Sequence, residues 1–387
     1  MGKSTRLALV LICMFSIILS SCGSTDTSPS AYSRGNLWTW KSGSNTIDQT
    51  GIYGTKGVTD INNVPGARLN AVSWIDVSGY LCLFGGYGYD STGTKGHLND
   101  LWKFDGSNWT WISGYNIASQ YGNYGTKSIP AASNVPGARE FPVSWRDSSG
   151  NLWLFGGYGH ASVGTNDYLN DLWKFDGTNW TWVSGSNTVD QTGNYGTKGV
   201  PAASNVPGAR YGAVSWRDSS DNLWLFGGAG YDSTGTFGDL NDLWKFDGTN
   251  WTWVSGSNVV NQHGTYSTPG SNVPGARDSA VSWIDSSGHL WLFGGYGLDS
   301  VGTAGDLNDL WKFDGSNWTW VSGSNIVNQS GIYGPIKGLP LASTVPGARW
   351  GAVSWIDISG RLWLFGGAGY DSNGTSDYLN DLWRYQP

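Results

Sequence analysis

One phrase returns along the 387 residues of this chain and limits what it can fold into. The pair Gly-Gly stands at Gly85, Gly156, Gly227, Gly294 and Gly366, each followed by a second glycine. The phrase P-G-A-R ends at Arg68, Arg139, Arg210, Arg277 and Arg349, with spacings between 67 and 72 residues. Length alone would predict two or three domains. A fixed period overrules that, because each repeat unit is too small to bury its own apolar face and must stack on its neighbours.

The unit that starts at Arg210 reads R-YGAVSW-RDSSDN-LWLFGG-AGYDSTGTFGDLN-DLWKFD-GTN-WTWVSG. Its four short apolar runs are bounded by Ser, Asp, Gly and Asn, which predicts four strands, a to d, joined as hairpins. In D-L-W-K-F-D, Trp244 and Phe246 share one face and Leu243 and Lys245 the other. The run L-W-L-F is apolar on both faces, as suits a strand packed between layers. No helical period occurs. The expected fold is therefore all-β, a propeller with one four-stranded blade per unit.

Tryptophan usage makes the same point. Of 25 Trp, 24 fall at repeat-phased positions in V-S-W, L-W-L-F, D-L-W and W-T-W. Regular phasing assigns them to filling between blades rather than to an array of sugar-stacking platforms. Cys82 takes the place of Trp in one strand b, a substitution within that filling.

The last unit stops at Pro387 without a W-T-W strand, whereas the chain carries N-L-W-T-W at residues 36–40 with no unit in front of it. The expectation is a five-bladed propeller over residues 36–387, its ring closed by the N-terminal strand at 37–40, which completes the last blade. Closure of that kind would leave no open edge.

Residues 1–21 read as a lipoprotein signal peptide. Lys3 and Arg6 precede an apolar run at 7–19, too short for a membrane span and suited to an export signal. It ends in L-S-S-C, which resembles the bacterial lipobox, and that resemblance implies lipidation at Cys22. Residues 22–35 then form a flexible tether. The implied location is outside the cytoplasm, lipid-anchored to the cell envelope, at the outer membrane in a double-membraned bacterium. Of three cysteines, only Cys82 remains after Cys13 leaves with the signal and Cys22 carries the lipid, so neither a disulfide framework nor a cysteine metal site is possible. A net charge of −7 offers no basic stripe for nucleic acid.

The Arg before strand a, the Gly-Gly ending strand b, the aromatic in strand c and the Trp in strand d together resemble the Kelch-repeat β-propeller family over residues 36–386. Within it, the chain is similar to a bacterial Kelch-repeat lipoprotein and to galactose-oxidase-like propellers. It departs from the family in having fewer and longer units. The resemblance implies the fold and leaves function open, since such propellers serve as enzymes, adhesins and scaffolds. The copper oxidases of the group use a Tyr, two His and a Cys–Tyr pair, which Cys82 inside strand b does not match. No cofactor is expected.

In an up-and-down blade the b–c and d–a connections emerge on one face, and here they are the long ones. The recurrent Gln, Tyr and Gly of the d–a loops are expected to pack those loops together. The recurrent Arg is expected to hold a nearby carbonyl or Asp, although the resemblance also allows it to reach a ligand. Asp100, Asp171, Asp242, Asp309 and Asp381 are expected to cap the turn into strand c. Asp90, Asp232, Asp299 and Asp371 sit in oxygen-rich Y-D-S-T-G-T-like loops without EF-hand spacing. His97, His160, His263 and His289 lie in different units with no metal-ligand spacing, so no metal site is assigned.

An asymmetric ligand needs asymmetric contacts, and the units differ most just after the PGAR arginine, where strand a begins. The pairs there are Leu69-Asn70, Glu140-Phe141, Tyr211-Gly212, Asp278-Ser279 and Trp350-Gly351. They include the one Trp outside the phased set and the one Glu of the chain. Asn70, Glu140, Phe141, Tyr211, Asp278 and Trp350 are the candidate ligand-binding residues. Aromatic rings that stack on an apolar ring face, beside acids that accept hydroxyl hydrogen bonds, would suit a sugar or small polar ligand.

The expected function is a monomeric, surface-anchored, non-enzymatic binding or adhesion module that meets a protein or glycan with its loop-rich face. The alternative is a carbohydrate-active enzyme, such as a mutarotase similar to the sialic-acid-handling Kelch propellers, with Glu140 or Asp278 as general acid/base near Arg139 or Arg277. A purely structural envelope protein is the third reading.

Overall fold

Alternating side chains and short polar turns leave each unit few options, and the computed structural model, which describes residues 40–267, 271–357 and 359–386, follows them. In the third unit, strand a (Val214–Arg217), b (Leu223–Phe226), c (Leu243–Phe246) and d (Trp251–Ser255) form an antiparallel sheet in that order. Trp216 pairs with Trp224, Leu225 with Trp244, and Trp244 with Trp253. The second and fourth units repeat this sheet. In the first unit, strands b and c run on without a break, and in the fifth the described residues supply strands a to c. The described residues contain no helix.

The b–c connection, expected as a loop, is a second small sheet. In the third unit Arg210–Tyr211, Ala229–Tyr231 and Phe237–Asp239 pair antiparallel, with Arg210 opposite Gly230 and Gly230 opposite Gly238. The two Gly of the repeated pair turn the chain from strand b into this extension. Gly227 and Gly228 have φ of 65° and 90°, the left-handed region. A Cβ on Gly227 would also stand 2.7 Å from the Arg277 carbonyl oxygen of the next unit. Gly85, Gly156 and Gly294 face Arg139, Arg210 and Arg349 in the same way, at 2.9, 2.8 and 2.7 Å. The glycine thus serves a turn and a junction at once.

The units stack in sequence order through their tryptophans. Trp145, Trp153, Phe155 and Leu172 of the second unit join Leu223, Leu225, Trp244, Phe246 and Trp251 of the third in one core cluster. The same grouping recurs at the next two junctions. Trp102, Trp173, Trp244 and Trp311 are fully buried, so the phased tryptophans fill the space between sheets as expected.

The run ends differently at the fifth unit. Gly366 has no arginine carbonyl within contact among the described residues. Trp355 is 44% exposed where Trp216 is 4%, and Phe365 is 42% exposed where Phe226 is 1%. The expected closing strand lies, at residues 37–39, outside the described residues, and Trp40 is exposed and in no strand. The signal peptide, Cys22 and the tether also lie outside the described residues.

Candidate functional site

The repeated arginines are structural. Arg210 donates from Nη1 and Nη2 to the two carboxylate oxygens of Asp242 at 2.6 and 2.7 Å, from Nε to the Gly208 carbonyl at 3.0 Å, and from Nη1 to the Gly227 carbonyl at 2.9 Å. The Tyr195 hydroxyl and the Trp244 indole donate to Asp242 Oδ2 at 2.6 and 2.7 Å. Every unit repeats this set, on Asp100, Asp171, Asp242, Asp309 and Asp381. A bidentate pair so well supplied with donors can stay charged without water. At Asp381 burial raises the carboxyl, but hydrogen bonds from Arg349, Tyr333 and Trp383 outweigh it and hold it at about 2.

These aspartates therefore do not cap a turn, contrary to expectation. They anchor the d–a loop, through its Tyr, and the PGAR turn, through its Arg, onto strand c. The capping falls to the preceding Asn: Asn241 Oδ1 accepts from the Ser257 amide at 2.9 Å, and its Nδ2 donates to the Pro274 carbonyl at 3.2 Å. The oxygen-rich hairpin loops are likewise occupied by the chain itself. Asp232 Oδ1 accepts from the Thr234 amide and hydroxyl and the Thr236 amide, and Oδ2 from the Val260 amide. Among the described residues no three His, Cys, Asp or Glu converge as a metal site.

The post-arginine positions do converge. The second residue of each pair is left-handed: Asn70 (φ 55°), Phe141 (52°), Gly212 (64°), Ser279 (52°) and Gly351 (64°). Each kinks the chain from the extension sheet into strand a, and neighbouring units are tied there by backbone bonds. The Phe141 amide donates to the Asn70 carbonyl at 3.2 Å, Ser279 to Gly212 at 2.9 Å, and Gly351 to Ser279 at 3.0 Å. At Phe141 a bulky side chain precedes Pro142, and both features disfavour this backbone region.

Phe141, Tyr211, Asp278 and Trp350 line one open cavity of about 590 Å³, the mouth of the candidate site. Tyr296, Asp306 and Tyr370 complete its polar and aromatic walls. Those three escaped sequence reasoning because they lie on the extension sheet; Tyr296 alone carried a signal, as the residue that follows Gly294-Gly295, a position that varies between Tyr and Ala. Tyr211 stacks on Tyr168 at 5.5 Å, and Tyr168 on Phe237 at 4.6 Å. Asn70 and Glu140 stand beside the cavity rather than in it. Asn70 Nδ2 donates to Glu140 Oε2 at 2.8 Å, and Glu140 Oε1 lies 3.3 Å from His97 Nε2.

The histidines are not all apart, as their spacing had implied. The rings of His97 and His160 lie 5.8 Å from each other, across two units. Burial lowers both; the Glu140 charge opposes this at His97, and the His97 charge adds to it at His160.

The acids around the mouth titrate high. Asp239 is pushed up to about 6 by burial and then by the Asp278 charge. Burial raises Asp278 against a hydrogen bond from Ser279, and it raises Asp306. Asp190 is also pushed up to about 6, by burial and then by Asp167. Carboxyls raised in this way can accept or donate hydrogen bonds.

No protein-family model matches the chain. Kelch domain-containing protein 3 of Bos taurus is 26% identical over 239 residues, which is 59% of this chain. That match spans about half the length of the bovine protein, 47%. The structure of YjhT is similar with a TM-score of 0.48 and 17% identity, covering 82% of this chain and 81% of that one. A fungal alcohol oxidase of the AA5 family, in complex with copper, is similar with a TM-score of 0.40 and 15% identity, over 83% of this chain and 63% of that one.

Proposed function

We propose, from the premise that this chain belongs to the Kelch-repeat β-propeller family, that it is a surface-anchored binding module that takes a sugar of a glycan at its loop-rich mouth. One observation carries this reading. Among the positions that differ most between the repeats, Phe141, Tyr211, Asp278 and Trp350 bring their side chains to a single cavity. Aromatic faces and carboxylates in a recess of this size are what an asymmetric, hydroxyl-rich ligand needs for stacking and for hydrogen bonding. The repeated machinery, by contrast, is consumed in holding the units together.

A glycan and small-sugar binding screen on the wild type beside Trp350→Ala and Glu140→Gln tests it. The binding module requires a sugar that binds and is lost with Trp350→Ala. The carbohydrate-active alternative is favoured by the chain of contacts from Asn70 through Glu140 to His97, which would set Glu140 as a general acid/base. In that case turnover of a bound sugar disappears with Glu140→Gln while binding persists. An absence of binding to any sugar would leave the protein-partner and structural-envelope readings.

The anchoring is proposed on the L-S-S-C motif at Cys22 and the tether after it. A Cys22→Ser protein should leave the membrane fraction and appear soluble. Ring closure by residues 37–40 is proposed on the exposed, three-stranded last sheet, whose Trp355 and Phe365 have buried counterparts in the inner units. Deleting residues 23–41 should then lower the melting temperature by several degrees, since loss of even one buried Trp with the closing strand costs on the order of 3–5 kcal/mol. A change within about a degree would remove closure from the picture.

A further inference from the structure

We propose that the group this mouth selects in its ligand is a protonated amine, as on an amino sugar; the inference rests on the cavity being the ligand site and names the chemistry it reads. Five aromatic side chains line the cavity: Phe141, Tyr211, Tyr296, Trp350 and Tyr370. Two carboxylates, Asp278 and Asp306, complete it, and its lining contains no Lys, Arg or His. The arginines that precede Asp278 and Trp350 in the chain, Arg277 and Arg349, are fixed in bidentate bonds to Asp309 and Asp381. Their charge is consumed there.

Asp306 makes the argument sharp. It is 8% exposed, lines the cavity, and its carboxylate accepts no hydrogen bond from the described residues. Asp239, outside the lining and raised in part by the Asp278 charge, likewise has a carboxylate without a donor among them. An anion withdrawn from bulk water with no protein donor is costly, and the cost is relieved by proton uptake or by a cation reaching it from the cavity. An ammonium group does this best here, because aromatic ring faces attract it as well as the carboxylates do. A neutral sugar offers hydroxyl donors but no charge, and an acidic sugar or phosphate would be repelled. A cavity of about 590 Å³ holds an amino sugar with room for its linkage.

The raised carboxyls add a direction. An ammonium favours the charged forms of Asp278 and Asp306, both raised by burial, so binding releases protons and weakens as pH falls.

The test is calorimetric titration of the full chain in detergent with glucosamine, glucose, N-acetylglucosamine and ethanolamine. Glucosamine should bind about tenfold more tightly than glucose or N-acetylglucosamine at pH 7.5. That preference should shrink to about twofold at pH 5 and in the Asp306→Asn variant. The variant should also melt no lower than the wild type, since it removes a charge that has no donor among the described residues, so loss of preference there is not loss of fold. Equal binding of the three sugars, or a preference untouched by Asp306→Asn, overturns the amine inference and leaves the sugar reading standing. Ethanolamine binding without any sugar binding keeps the amine inference and removes the sugar reading. No binding of any of the four overturns both.

Discussion

The repeated Tyr–Asp bond offers a mutational experiment with its control inside the same molecule. Tyr195 is 4% exposed and donates to Asp242 at 2.6 Å, a carboxylate whose side chain is fully buried. Tyr333 makes the same bond to Asp381 at 2.5 Å, but it is 42% exposed in the last unit. Tyr→Phe removes one hydroxyl and nothing else at either site. At Tyr195 a charged acceptor loses a donor that water cannot replace, which costs about 1.5–3 kcal/mol. At Tyr333 water reaches the gap, and the cost should be below about 1 kcal/mol. With an unfolding entropy of about 2.1 cal/mol/K per residue over roughly 350 residues, 1 kcal/mol corresponds to about 1.4 °C. Scanning calorimetry should therefore find Tyr195→Phe lower by about 2–4 °C and Tyr333→Phe lower by about 1 °C or less. Equal shifts for the two would refute the claim that burial, rather than the bond itself, sets its worth.

Three further outcomes follow from the same geometry. Gly227→Ala should cost several kcal/mol, because its Cβ meets the Arg277 carbonyl at 2.7 Å and its φ is 65°; chemical denaturation measures it, and a loss under about 1 kcal/mol would contradict the junction. Phe141→Gly should raise stability by about 1 kcal/mol, since φ of 52° before Pro142 strains any side chain, while weakening sugar binding through loss of the ring that lines the cavity. The pH profile has a worked sign. Asp190 and Asp239 titrate at about 6 in the folded chain and near 3.9 unfolded, so the folded state holds more protons between those values and stability rises as pH falls from 6 towards 4. Asp381, at about 2, acts oppositely, its contribution present above about 3.9 and lost as pH falls through 2. The melting temperature should peak between about pH 4 and 5, and Asp239→Asn should flatten the upper limb.

What was legible in the residues is what depends on neighbours in the chain. Strand alternation has a period of two, so D-L-W-K-F and W-T-W declared their faces, and Trp phasing declared the space between sheets. The post-arginine positions were legible as a candidate site because difference against a repeated background is itself a sequence property. Phe141, Tyr211, Asp278 and Trp350 do meet around one cavity, while Asn70 and Glu140 pair beside it.

The rest needed three dimensions. Arg210 and Asp242 are separated by 32 residues and meet only because strand c returns beside the PGAR turn, so the Asp looked like a turn cap from its local context alone. The b–c segment looked like a loop because two- and three-residue strands carry too little alternation to be recognised, yet it forms the sheet that brings Tyr296, Asp306 and Tyr370 to the mouth. His97 and His160 seemed separate because they belong to different units, and stacking of those units brings their rings within 5.8 Å. The sequence by itself thus determined the units and their buried stripes, through local periodicity. The tertiary structure decided which distant charges are paired and which, like Asp306, have no donor among the described residues, because burial and pairing are properties of packed neighbours.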